Sequence, residues 1–164
     1  MVQFSAPWSR FLKIVSGSIS VLLCLAFWFA APTSTMNESA GFRTFLIVFP
    51  LAFLGIAALF IIRRYEINDE YVEIVRVVGR KKFRLDNIKS IEANPTAMDL
   101  SIRTFGNGGM YSFSGFFRTE NLGGFRAYVS NKANSVVIQR KKGSPIVVSP
   151  HDPISFVEQV NARI

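Results

Sequence analysis

Residues 14–31, IVSGSISVLLCLAFWFAA, and residues 44–62, TFLIVFPLAFLGIAALFII, carry no charge. As a helix rising 1.5 Å per residue the first run reaches roughly 27 Å, close to the thickness of a bilayer's hydrocarbon core. A helix inside a water-soluble domain rarely stays uncharged for so long, so the sequence predicts an integral membrane protein. Residues 1–64 then form an N-terminal segment and a two-helix transmembrane hairpin, with spans at about 14–31 and 44–62. The short loop from Pro32 to Arg43 makes the two helices antiparallel neighbours.

Orientation follows from the basic residues. Arg10 and Lys13 precede the first span, Arg63 and Arg64 follow the second, and the loop has only Arg43, offset by Glu38. Both termini are therefore expected in the cytoplasm, on a multi-pass protein of the inner (plasma) membrane. A cleaved signal peptide fits poorly, because Phe27-Trp28-Phe29-Ala30-Ala31 sets aromatics where a small-x-small site is needed. Small residues let helices approach in lipid, so Ser16, Ser20 and Cys24 on one helix and Ala52 and Gly55 on the other are the expected packing stripes. Pro50 falls in the first turns of the second helix, where a lost amide donor costs least. The absence of charge from both runs argues against a channel or transporter built by this chain alone.

From Tyr65 onward the hydrophobic period changes to two. Tyr65-Glu66-Ile67 and Tyr71 to Val77 flank the turn formers Asn68-Asp69-Glu70, which is a hairpin signal. Further strands are expected at Lys81–Leu85, Ile88–Ile91, Leu100–Phe105, Met110–Phe117, Phe125–Ser130, Ser135–Arg140 and Pro145–Ser149, with glycine- and asparagine-rich turns between them. Asp152-Pro153 then supplies an N-cap and a first-turn proline. Ile154, Val157, Val160 and Ile164 recur at helical spacing, predicting an amphipathic helix over 153–163. The expected fold is α+β: the hairpin, then an antiparallel β-barrel or sandwich of about seven strands over 65–164, plugged by the terminal helix.

Three stretches carry a resemblance: Gly108-Gly109-Met110-Tyr111-Ser112-Phe113-Ser114-Gly115-Phe116-Phe117, Leu122-Gly123-Gly124-Phe125-Arg126-Ala127-Tyr128, and Ser149-Pro150-His151-Asp152-Pro153-Ile154-Ser155-Phe156-Val157. Together with the order of strands before one capping helix, they resemble the bacterial PH-domain (pleckstrin-homology-like) family of membrane-anchored proteins. The resemblance implies a fold and a membrane setting, and no catalytic residues. Phosphoinositide-binding members of the superfold use basic residues in the first hairpin loop. Here that loop is Asn68-Asp69-Glu70 between Glu66 and Glu73, so their lipid site does not carry over.

Chemistry-bearing patterns are few. Cys24 and His151 are the only residues of their types, which excludes a disulfide framework and a Cys/His zinc site within one chain. Gly106-Asn107-Gly108 lacks the setting of a dinucleotide loop, Ser114-Gly115 lacks the spacing of a hydrolase elbow, and Asp152 beside His151 reads as a helix cap. No enzymatic activity, metal or cofactor is expected. Residues 65–164 hold 14 basic and 10 acidic residues, a surplus of four and too small to require nucleic acid. Phe116 and Phe117 are consecutive and so face opposite ways, which makes them the candidate interaction surface, against a reading in which the aromatics of 105–125 fill the interior. Arg80, Lys81, Lys82 and Arg84 are the candidate contacts to an anionic headgroup, against a reading as a solvated face. The expected role is a binding or scaffolding module at the cytoplasmic face with the bilayer and a protein, or a second copy, as partners. The alternative is a sensor of an anionic headgroup or small ligand through the basic face.

Overall fold

The computed structural model describes residues 1–33 and 40–164. Its elements in chain order are β1 (Val2–Ser5), α1 (Arg10–Thr33), α2 (Ala40–Leu59), β2 (Ile62–Ile67), β3 (Tyr71–Arg76), β4 (Arg80–Arg84), β5 (Ile88–Ala93), β6 (Ile102–Gly108), β7 (Phe113–Thr119), β8 (Gly123–Val129), β9 (Val136–Arg140), β10 (Ile146–Val148) and α3 (Pro153–Asn161). Glu38 of the expected interhelical loop lies outside the described residues.

Two sheets face each other, one ordered β1-β2-β3-β4 and the other β5-β9-β10-β8-β7-β6. Between them lies the main core: Tyr65, Ile67, Val72 and Ile74 from the first sheet, Ile91, Tyr128, Ile138, Ile146 and Val148 from the second, and Phe156 and Val160 from α3. Aspartate 152 caps α3, its Oδ1 accepting the Ser155 amide at 3.0 Å, and Pro153 follows in the first turn. The helix then sets Phe156 edge-on against Phe4 and Tyr65. A second core lies on the opposite face of the six-stranded sheet, where Leu12 of α1, Ala97 and Met98 cover Phe113, Phe117, Phe125, Ala127, Val129, Val137 and Val147.

Several expectations are corrected. The second apolar run does not stay helical to Ile62: α2 ends at Leu59, and Ile62 is a buried residue opening β2. The carbonyls of Leu59 and Ile61 instead accept the amides of Val78 and Val77, so the end of the run is claimed by the sheet. Hydropathy does not distinguish a lipid-facing isoleucine from a core one. Among the described residues one helix has the length and apolar composition of a membrane span, over Arg10–Phe29; the apolar stretch found in α2 is the shorter Val48–Leu59.

The sheets are not purely antiparallel, because β10 inserts between β9 and β8 and runs parallel to β8. Among the described residues the β-domain holds nine strands, β2 to β10, rather than about seven, and a tenth stands before the helices. That strand, β1, was not anticipated; it pairs antiparallel with β2, Ser5 opposite Arg64. Gly106, Asn107 and Gly108 end strand β6 rather than forming the turn.

In the stripe of Ser16, Ser20 and Cys24, the two serine hydroxyls turn to the β6–β7 hairpin. Ser16 Oγ accepts the Tyr111 amide at 2.8 Å, Ser20 and Tyr111 join hydroxyls at 2.9 Å, and Cys24 is exposed. Gly55 has open space where a side chain would stand, and Ala52 is exposed.

Candidate functional site

Strand register explains how the surface aromatics arise. Phe105 pairs with Phe116, Phe116 with Arg126, Arg126 with Ile146 and Ile146 with Ile138, so these residues form one row across the face of the larger sheet that looks toward the smaller. Ile146 and Ile138 are fully buried there, whereas Phe116 is 42% and Phe105 75% exposed. A six-stranded sheet facing a four-stranded one overhangs it, and the row emerges from the core at the overhang.

A groove of about 360 Å³ lies at that place, lined by Phe60, Arg76, Phe105, Gly106, Asn107, Ser114, Gly115, Phe116 and Tyr128. Phe60 comes from the turn after α2, so the groove sits where the helical pair meets the sheets. Arg76 continues the inward-facing row of Val72 and Ile74 on β3 and lays its guanidinium 5.4 Å from the Phe60 ring centre. Arg126 lies 4.7 Å over the Phe116 ring. These are cation–π distances. Neither arginine has a carboxylate partner among the described residues, and the Nε atom of each is buried without a hydrogen bond. Burial, and then the neighbouring Arg126 charge, lowers the Arg140 guanidinium from its usual value. Positive charge is thus concentrated beside an apolar wall, with no carboxylate paired to it among the described residues.

The residues singled out from sequence are placed differently from one another. Phe117 is 4% exposed and stacks on Phe125 in the second core, leaving Phe116 alone of the pair at the surface. In the basic run, Arg80, Lys82 and Arg84 lie on the outer face of the smaller sheet. Arg80 pairs with Glu66 at 3.3 Å and Glu73 at 3.5 Å, Lys82 with Glu73 at 3.0 Å, and Arg84 with Asp86 at 2.7 Å. Glu66 and Glu73 are buried and directly opposite each other, so these cations neutralise two carboxylates that would otherwise repel. Lys81 has no carboxylate partner among the described residues, and by register it shares the inward face with Ile74 and Arg76. The run is therefore divided between internal neutralisation and one free lysine.

A larger depression of about 700 Å³, between the β2–β3 turn and the end of α3, mixes both signs of charge: Arg84 pairs with Asp86 and Arg163 with Asp69, the Lys141 ammonium bonds the Asp86 carbonyl, and Glu70 and Lys89 also line it. Unlike the groove, it lacks an aromatic wall. Arg76 and Arg126 were missed by the sequence reading because each is a lone cation in an apolar strand; for Arg76 the signal that could have found it is the arginine at an inward position of a period-two pattern, Val72-Glu73-Ile74-Val75-Arg76, whereas Arg126 alternates with the apolar Phe125 and Ala127 and so reads from sequence as an outward residue.

No curated protein and no solved structure matches the chain. The Bacterial PH domain family matches residues 63–164, the two sheets and terminal helix apart from β1, and the chain belongs to that family.

Proposed function

We propose that the chain is a membrane-anchored PH-like binding module at the cytoplasmic face of a bacterial-type membrane, and that its groove takes the phosphate headgroup of an anionic lipid. The observation that carries this reading is the pair Arg76 and Arg126, neither of them paired with a carboxylate among the described residues and both laid on aromatic rings where the helices enter the domain. Acyl chains would lie along Phe60, Phe105 and Phe116 while the phosphate meets the guanidinium groups. The role is binding, not catalysis. This differs from contacts through Arg80, Lys82 and Arg84, which are occupied by Glu66, Glu73 and Asp86.

Two crossings, not one, are the anchor in this reading. The strands flanking the helical pair, β1 and β2, are hydrogen-bonded neighbours, so both ends of that pair lie on one side of any bilayer. A single crossing by α1 would strand β2 on the far side from β1. The exposed Phe45, Val48, Phe49, Leu51, Phe53 and Ile56 of α2 suit lipid as a neighbour, and the flanking Arg10, Lys13, Arg63 and Arg64 put that side in the cytoplasm.

The test is native mass spectrometry of the full-length protein released from nanodiscs containing phosphatidylglycerol and phosphatidylcholine. Wild type should retain phosphatidylglycerol preferentially, and Arg76→Gln with Arg126→Gln should lose that preference while Arg80→Gln keeps it. Equal retention of both lipids by wild type would refute the groove's role.

A second reading, a protein partner adding a strand, is favoured by β6, an edge strand exposed along nearly its whole length with Ile102 at 71%. A photocrosslinker at Ile102 in native membranes that captures a discrete protein or a second copy would support it.

A further inference from the structure

We infer that the tip of the β6–β7 hairpin, residues 105–112, is inserted into the cytoplasmic leaflet as a wedge docked on α1. The inference rests on the anchoring reading above and adds to it a second, non-helical element at membrane depth.

Depth comes from arithmetic on α1. Lys13 is its last charged residue, and Ser20, whose hydroxyl meets that of Tyr111, lies about 10 Å further along the axis. Beyond Ser20 the helix runs only to Thr33, about 20 Å, against a hydrocarbon core of about 30 Å. A crossing by α1 therefore begins before Ser20, and whatever is bonded to Ser16 and Ser20 enters the bilayer with it. Trp8, with its ring 6.0 Å from Tyr111, stands just before α1 at the level where indole rings anchor.

Irregular backbone is tolerated at that depth only when protein satisfies its polar groups. The turn around Gly109 and Met110 meets this condition. Asn107 Oδ1 accepts the amides of Gly109 and Met110, and its Nδ2 donates to the Met110 carbonyl. Ser16 Oγ donates to the Gly109 carbonyl and accepts the Tyr111 amide, while the Gly109 amide also reaches the Ser112 carbonyl. A tip bathed in water would gain little from this closure. What it presents outward is Phe105, three-quarters exposed, beside its cross-strand partner Phe116, with Met110 half-buried in the turn. The hairpin reaches α1 by a bend where Gly106 and Gly115 pair at positive φ, 110° and 140°. The occupant of this surface is lipid, since the tip is bonded to α1 at Ser16 and Ser20 on the uncharged part of that helix, and the Arg103 guanidinium that rests on the Gly106 carbonyl at 3.2 Å meets the headgroups beside it.

The experiment places single cysteines in full-length Cys24→Ser protein, labels them with bimane and reconstitutes them in vesicles of phosphatidylethanolamine and phosphatidylglycerol. Phe105→Cys and Met110→Cys report the tip. Val21→Cys, on the exposed side of α1, is the lipid reference, and Leu100→Cys, 98% exposed in the native chain at the far end of the hairpin, is the water reference. Nitroxide-bearing acyl chains should quench the tip labels to the extent seen at Val21→Cys, and iodide should quench only Leu100→Cys. Iodide quenching of the tip with Val21→Cys still in lipid would overturn the wedge and leave the anchor standing. Shielding of the tip from both quenchers would put a second copy or another protein against it, and overturn the wedge as well. Absence of lipid quenching at Val21→Cys would remove the anchor and the wedge together.

Discussion

Tyr65 shows how much one side chain organises here. Its ring is fully buried among the strands, and its hydroxyl donates to the Tyr128 carbonyl at 2.8 Å while accepting the Ser149 amide at 3.1 Å, so it fastens the smaller sheet to the larger. Burial pushes the phenol up to about 12, and it stays a neutral donor throughout the ordinary pH range. Tyr65→Phe keeps the packing but orphans a buried carbonyl and a buried amide, and should cost about 1–3 kcal/mol in chemical unfolding followed by far-UV circular dichroism. Asp152 acts at the other end of the pH scale. Hydrogen bonds from the Ser155 hydroxyl and then its amide hold the carboxyl below its usual value. A folded value beneath the unfolded one means the stabilisation is whole above about pH 4 and disappears as pH falls through the folded value. Asp86, lowered by its hydrogen bonds from Arg84, contributes with the same sign. The melting temperature should therefore drop on acidification through that window, and by less in Asp152→Asn than in wild type.

Among the elements, the β6–β7 hairpin is the one whose shape is set by close backbone approach. Gly115 sits at φ 140°, and a methyl group there would overlap the Phe105 carbonyl of the paired strand. Gly115→Ala should lower stability by about 1–3 kcal/mol and loosen the tip from Ser16. Gly124→Ala, where a methyl meets open space, is the contrasting control and should leave the melting temperature unchanged. Alternation had made this region legible as two strands with a glycine turn, and it left the aromatics of 105–125 between an interior reading, which holds for Phe113, Phe117 and Phe125, and a surface at Phe116 and Phe117, which holds for Phe116 alone. It had not shown that Gly106 to Gly108 belong to a strand, because glycine at a turn and glycine at a cross-strand contact look alike until the partner is known. The extent of the terminal helix was legible almost to the residue, since Asp152-Pro153 is a local signal, but its buried face was not: of Ile154, Val157, Val160 and Ile164 only Val160 is fully buried, Ile154 and Ile164 are exposed, and Phe156 fills the core instead. Strand β10 beside β8 was not, since parallel pairing depends on where a distant strand inserts.

At the scale of the molecule, the helical pair is an insertion between two neighbouring strands rather than a leader attached to a finished domain. That arrangement hides from sequence because Val2 to Ser5 is too short to announce itself and its partner is about sixty positions away. Phe4 packs on Phe156 and Ala6 belongs to the main core, so the first six residues complete the domain that residues 63–164 otherwise define. Leu12 and Trp8 do the same for the second core. A fragment starting at Tyr65 loses Ile62, the strand covering the β2 edge and the residues over Phe113 and Phe117, and leaves that edge open to other chains. A chain in which Ala6 is joined to Ile62 by a short glycine turn restores β1 and Ile62, because Ala6 already donates its amide to the Arg63 carbonyl across the two strands. Expressed without detergent, the joined chain should show a cooperative melt and stay monomeric by light scattering, whereas the fragment from Tyr65 should aggregate. A monomeric, cooperatively melting fragment would mean that β1 is dispensable and that the helices are tied to the domain through β2 alone.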